Sequence, residues 1–437
     1  MPRVVDPHVP YFRIEECSST PGVVKMQAEG NVRNETARLL LADTLWVRFV
    51  FVDHGGIPKA KAVYRESFQE RVEAGVGLAA GVLALDPSGQ LHAASGLSPV
   101  GEVRLVPDLS GLTRLPFASG QAMVLCDMTE PDGRTPWDGC PRSALRRVTD
   151  RLGERGMESQ ASFETEFYVM GPEGPLDKTP YASSFALTPA AEFAATLSRT
   201  LEEMGIPPRQ YHAEVGHGQQ ELSVEEAEAL AAADRRVLVL EAIRGVAYQM
   251  GLEVIAAPKP FLDGAGNGHH LHVSVYSLED GSPVLFDPSG ALSGQGSAFV
   301  AGILEHLPAL MAFTASSPNS YQRLAPSMWS SAYICYGLDN REAAVRLAGG
   351  RFRVRDGQRG AQAGGRDCQS LSDTRGRADR RDGWDGEELG SRRAGFGGPG
   401  HHERGGAHLP GHPSTPGFPC GGPRRAGERR DPDRGTR

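Results

Sequence analysis

A chain of 437 residues is long enough for two or three domains around a large core. An apolar share of 39%, a charged share of 23% and a net charge of −8 describe an ordinary globular protein and argue against nucleic acid or an anionic membrane as partner. No uninterrupted apolar run reaches bilayer length, the first residues lack the apolar core of a secretory signal, and the six scattered cysteines fit reduced thiols, so a cytoplasmic protein is expected.

Residues 1–22 have little pattern and read as an extended arm, and a helix is expected over Val23–Leu41. Leu45–Asp53 alternates like a half-buried strand, His54-Gly55-Gly56 makes the turn after it, and Ala60–Val63 pairs back. Short strands and Pro/Gly turns follow to Trp137, which sets an N-terminal domain at residues 23–136. Pro141–Arg155 reads as an amphipathic helix opening a second domain, residues 137–350. There the pattern predicts a strand at Ser162–Val169, helices at Pro189–Met204 and Val224–Gly251, a strand at Leu271–Tyr276 and a helix at Ala298–Thr314. Beyond Arg351 the composition turns abruptly to Gly, Arg, Pro and Asp, and residues 351–437 read literally as a disordered tail.

Four segments carry chemistry. In Phe163-Glu164-Thr165-Glu166-Phe167 the two carboxylates lie two apart on a strand and share a face, with Phe163, Phe167 and Val169 opposite. Like charges so placed repel unless cations sit between them; a solvated strand face is the plainer alternative. In His212-Ala213-Glu214-Val215-Gly216-His217-Gly218-Gln219-Gln220-Glu221 the glycines allow a tight loop that brings Glu214 near Glu221. In Gly264-Ala265-Gly266-Asn267-Gly268-His269-His270-Leu271-His272 a glycine-rich loop enters a strand with His270 and His272 on one face. Imidazole with an excess of carboxylates suits a divalent metal of the magnesium or manganese kind, which also holds nucleotide phosphates. The fourth segment, Asn319-Ser320-Tyr321-Gln322-Arg323 with Asp339-Asn340-Arg341-Glu342-Ala343-Ala344-Val345-Arg346, offers arginines for phosphate or carboxylate.

Taken together, in order and spacing from Leu45 to Leu347, these segments resemble the glutamine synthetase family. The resemblance implies an α+β fold: a small β-grasp-like N-terminal domain and a larger catalytic domain with a curved, mostly antiparallel sheet backed by helices. It implies stacked homo-oligomeric rings and an ATP-dependent ligase acting through an acyl phosphate, with Mg2+ or Mn2+. By carry-over, Glu166, Glu214 and Glu221 match one metal site, and Glu164 and His270 part of a second. His272 and Arg346 match nucleotide-phosphate contacts. Arg323 and Arg341 match the arginines on the substrate carboxylate and the transferred phosphoryl group, and the loop of Gly266 matches the one that holds the amino acid.

Two matched positions depart from true glutamine synthetases. A family Glu beside the ammonium site is here Trp329, and a substrate-binding Asn is here Ala265. An indole accepts no proton but offers an apolar wall or cation–π platform to a larger alkylammonium. Both changes resemble the γ-glutamyl-amine ligase branch, with alkylamine or polyamine acceptors; an inactive relative is the alternative.

The tail has a second reading. After Arg351 there is no Lys, Asn, Ile, Met or Tyr, as expected of a GC-rich gene read out of frame. Codons for Asp367–Trp384 can be chosen so that moving one base forward gives TANPYLTLAAALTAGMDG. That string resembles the family's C-terminal helix segment ANPYLALAALLAAGLDG. Arg359 and Ala361 likewise admit Glu and Arg, matching the family's last metal ligand and a substrate arginine. A one-base slip between Arg346 and Arg359 is therefore expected.

Overall fold

The structure is a computed structural model and describes residues 43–347 with the exception of Pro87. The arm, the helix expected over Val23–Leu41 and the segment from Arg351 onward lie outside the described residues.

The N-terminal part contains β1 (Trp46–Val52), β2 (Pro58–Tyr64), α1 (Phe68–Ala74), β3 (Val76–Ala79), β4 (Glu102–Pro107), β5 (Thr113–Arg114) and β6 (Gln121–Thr129). They form one sheet in the order β2-β1-β6-β4-β3, with β5 paired to β6. The β1–β2 turn is set by Asp53, whose Oδ1 accepts from the backbone N–H groups of Gly55 and Ile57, and by Gly56 at φ 79°.

Alternation along β1 sends Val47, Phe49 and Phe51 into one core with Leu105, Val124 and Cys126. Val50 on the reverse face joins Met123 and Leu125 in a second core, shared with Leu238 and Ile243 of the catalytic domain. The strand expected to be half-buried is thus covered on both faces, because the larger domain packs on the side the local pattern left open.

The larger domain contains α2 (Pro141–Gly153), β7 (Met157–Gly171), β8 (Gly174–Pro175), α3 (Ala191–Glu203), β9 (Pro208–Ala213), β10 (Gln219–Val224), β11 (Ala227–Glu228) and α4 (Ala229–Gln249). It continues with β12 (Glu253–Ile255), β13 (His269–Ser277), α5 (Gly294–Thr314), α6 (Pro318–Arg323), β14 (Tyr333–Leu338) and β15 (Ala343–Leu347). The 15-residue β7 is the spine. Antiparallel β11 and β10 line one edge and antiparallel β13 and β12 the other, with β9 outside β10. The fold is α+β, with a small β domain followed by a large curved-sheet domain.

The helix expected from Val224 starts at Ala229. Val224 closes β10, and Glu228 caps the helix by accepting from the N–H groups of Leu230 and Ala231. By length and composition alone α5 could cross a membrane, with a mean hydropathy of 1.4, but Glu305 and His306 divide its apolar run and it packs on β14 and β15.

Candidate active site

The sheet register gathers the polar residues. On β7 Phe167 and Val169 face the helices, while Glu164 and Glu166 face the other way, each only 8% exposed. Across β10, Glu221 stands opposite Glu166 and Ser223 opposite Glu164. Across β13, His270 stands opposite Glu164, with Nδ1 2.8 Å from Glu164 Oε2, and His272 Nε2 lies 3.1 Å from Glu164 Oε1. On β9 His212 stands opposite Glu221, and its Nε2 lies 3.1 Å from Glu214 Oε1 and 3.8 Å from Glu221 Oε1. Two sets of ligand atoms each fall within 4.8 Å of one another: Glu164, Glu221 and His270, and His212, Glu214 and Glu221. Glu221 belongs to both. Glu166 is in neither set; its Oε2 accepts from Gln219 Nε2 at 3.0 Å.

Burial is in conflict with charge here. It pushes the Glu164 carboxyl up, but the hydrogen bonds and positive charge of His270 and His272 win and hold it well below the usual carboxylate range. The Glu221 carboxyl is pushed up to about 9 by burial and by Glu164, Glu166 and Glu214. Burial also raises Glu166. Four carboxylates in one buried space, two of them forced toward the neutral form, make a site short of positive charge.

Both parts of the chain match a known family. Residues 32–137 match the glutamine synthetase N-terminal domain and residues 138–356 the glutamine synthetase catalytic domain. The chain belongs to the glutamine synthetase family. Glutamine synthetase-type proteins are ATP-dependent carbon–nitrogen ligases that use divalent metal ions and small-molecule substrates and assemble as oligomers. A gamma-glutamylpolyamine synthetase, GlnA3 of Streptomyces coelicolor, is 35% identical over 71% of this chain and 68% of its own length. The crystal structure of a novel glutamine synthase homolog is 38% identical with a TM-score of 0.65, covering 69% of this chain and 72% of that one. A GmaS/ADP complex is 28% identical with a TM-score of 0.64, covering 72% and 73%.

In this glutamine synthetase-family chain the donor set fits divalent cations. Each of the two triads offers at least one carboxylate and one imidazole, and in the second the His212 Nε2 atom faces the Glu214 and Glu221 carboxylates. Gly268 lets the strands close around them: a Cβ there would lie 2.6 Å from Glu166 Oε1 and 3.0 Å from His270 Nε2.

The loop before β13 is tied down by residues to which the sequence motifs assigned no role. Gln219 Nε2 lies 3.0 Å from Glu166 Oε2, Gly266 O and Asn267 Oδ1, and buried Asn267 donates to Ile255 O and Ala257 O. Tyr168 donates to Ala265 O at 2.9 Å, and Lys259 Nζ to Gly264 O at 2.6 Å. Asn319 accepts from Lys259 N and donates to Lys259 O, fastening α6 to the loop. Arg323, at the end of α6, lies against Gly266, where a Cβ would be 2.5 Å from Arg323 Cγ. Arg341 lies in the turn before β15, Arg346 sits on β15 opposite Gly337, and Trp329 stands on the α6–β14 loop, 65% exposed. His212, Gln219, Asn267 and Asn319 stand inside the four segments read from the sequence but were given no role there, whereas Tyr168 and Lys259 lie outside them.

Proposed function

We propose that the chain is of the γ-glutamyl-amine ligase type, joining the γ-carboxylate of glutamate, or a similar acid, to an alkylamine or polyamine in preference to ammonia. The observation that carries the choice of amine is Trp329, an exposed indole six residues beyond Arg323 where true glutamine synthetases have a carboxylate. An indole face attracts an alkylammonium and packs on its methylenes, but accepts no proton from ammonium. The similarity to a gamma-glutamylpolyamine synthetase supports the same choice.

In the proposed reaction a carboxylate oxygen of the acid takes the γ-phosphoryl group of ATP, releasing ADP. The amine nitrogen then bonds to the acyl carbon, inorganic phosphate leaves and the ammonium proton is released. Mg2+ or Mn2+ held by Glu164, Glu221 and His270 and by His212, Glu214 and Glu221, with Glu166 adding negative charge beside them, would neutralise the phosphates and the charge that builds up in transfer. His272 and Arg346 are assigned to nucleotide phosphate, Arg323 and Arg341 to the acid's carboxylate and the moving phosphoryl group, and the Gly266 loop to the amino acid's backbone. A cytoplasmic setting and homo-oligomeric rings belong to the same reading.

The runner-up is an inactive relative. It is favoured by the tail, which in the frame given lacks the family's last metal ligand. Phosphate release with ATP, Mg2+, glutamate and a panel of amines tests both readings. Turnover that rises with a polyamine and not with ammonium supports the ligase, even if it appears only after the frame is restored by one base. No amine-dependent turnover by either version rules it out.

A further inference from the structure

The α6–β14 loop concentrates backbone strain. Among the described residues five non-glycines have positive φ, and Ser327 (62°), Trp329 (55°) and Ser331 (57°) are three of them within one short stretch. L-residues leave this region unless their surroundings hold them there. Two fastenings do so. Ser330 Oγ, in a residue only 2% exposed, accepts from Ala325 N at 3.1 Å and donates to Ala325 O at 2.9 Å. The Glu342 carboxylate spans the other side: Oε1 accepts from Trp329 N at 2.8 Å and Oε2 from Ser327 N at 3.2 Å. Glu342 is itself fixed at the start of β15, since its N–H donates to Asn340 Oδ1 at 3.0 Å.

From this geometry we propose that Glu342 is the positioning residue for Trp329 and thereby a determinant of amine specificity, a role resting on the reading that Trp329 receives the amine. Both carboxylate oxygens are committed to alternate N–H groups of one loop, and the residue between them, Met328, is left exposed like the indole. Charge-assisted bonds to two donors fix the loop's conformation more firmly than neutral ones. Without them the left-handed residues relax, and the indole loses its fixed presentation while the core stays intact.

The test uses the full chain with E342A, E342Q and W329F. Subtracting the W329F fluorescence from the parent isolates the Trp329 signal, read by acrylamide quenching and by titration with spermidine. E342A is expected to change the acrylamide accessibility of Trp329 and weaken spermidine binding by about tenfold, the loss of roughly one charge-assisted hydrogen bond. E342Q, whose amide oxygen accepts only one of the two N–H groups, falls between. If E342A does not fold, E342Q carries the test. Unchanged Trp329 accessibility in the variants overturns the positioning role. A changed accessibility with no spermidine response in the parent leaves the role standing and defeats the amine reading instead.

Discussion

Glu221 stands opposite Glu166 on one neighbouring strand and opposite His212 on the other, so a single carboxylate serves both triads. Removing it should therefore cost more than removing either neighbour. Mn2+ binding followed by thermal shift should weaken at least about tenfold at both sites in E221Q, whereas E214Q should weaken one. Equal effects of the two variants would contradict the shared role. A second residue-scale prediction concerns Arg142 on α2, which joins the domains: Nη2 lies 2.7 Å from Asp108 Oδ2 and 2.8 Å from Asp234 Oδ2, and Nη1 lies 2.6 Å from Asp127 Oδ1. R142M takes from Asp234 its arginine partner, while Arg146 still lies 3.3 Å from Asp108 Oδ2 and 2.8 Å from Asp127 Oδ2, and should destabilise by about 3 kcal/mol in denaturant unfolding. Burial raises the Asp108 carboxyl, but Ser110 and Arg142 overcome it and hold it below its unfolded value near 3.8. Its contribution is therefore complete above that value and lost as pH falls below it. Burial raises Asp234 despite Arg142, so it opposes this in part. The drop in Tm between pH 5 and pH 3 should shrink in D108N; an unchanged drop would place the acid sensitivity elsewhere.

At the scale of elements, the sequence was most legible where the chemistry is local. Glu164 and Glu166 on β7 and His270 and His272 on β13 could be placed by period alone, because a strand two residues apart repeats its face whatever surrounds it. β9 and β10 were read only as a glycine loop, since Pro208–Ala213 is polar and their pairing with β7 is long-range. The bilateral burial of β1 was invisible for the same reason: its second cover comes from a distant helix. α5 poses the reverse problem. It is the described helix that passes for a membrane span, yet only 11% of its apolar window is buried, and Phe313 on it and Ile334 and Leu338 on β14 are 82%, 61% and 66% exposed. An exposed apolar surface of this kind binds hydrophobic dyes. The one-base-shifted reading supplies an Ala- and Leu-rich segment suited to cover such a face. Restoring the frame should therefore lower the binding of an anilinonaphthalene sulfonate dye, and F313D should lower it in the chain as given. Equal dye binding in the restored and given versions would count against the slip.

For the whole molecule, the match to both family domains and the buried carboxylate–imidazole array fall within one described stretch, residues 43–347, to which the proposed function assigns the metal donors, the acid-holding loop and the amine-facing loop. On the expectation of a one-base slip, the family's last metal ligand is encoded only in the shifted frame, so activity should depend on the reading frame more than on any residue described above. The most direct measurement follows oxygen. Glutamate labelled with 18O in its γ-carboxylate is incubated with ATP, Mg2+ and spermidine, using the version restored by one base. The account predicts one labelled oxygen in each phosphate released, together with a γ-glutamyl amide of spermidine. Phosphate released without label, or label transferred with ammonia but not with spermidine, would contradict it.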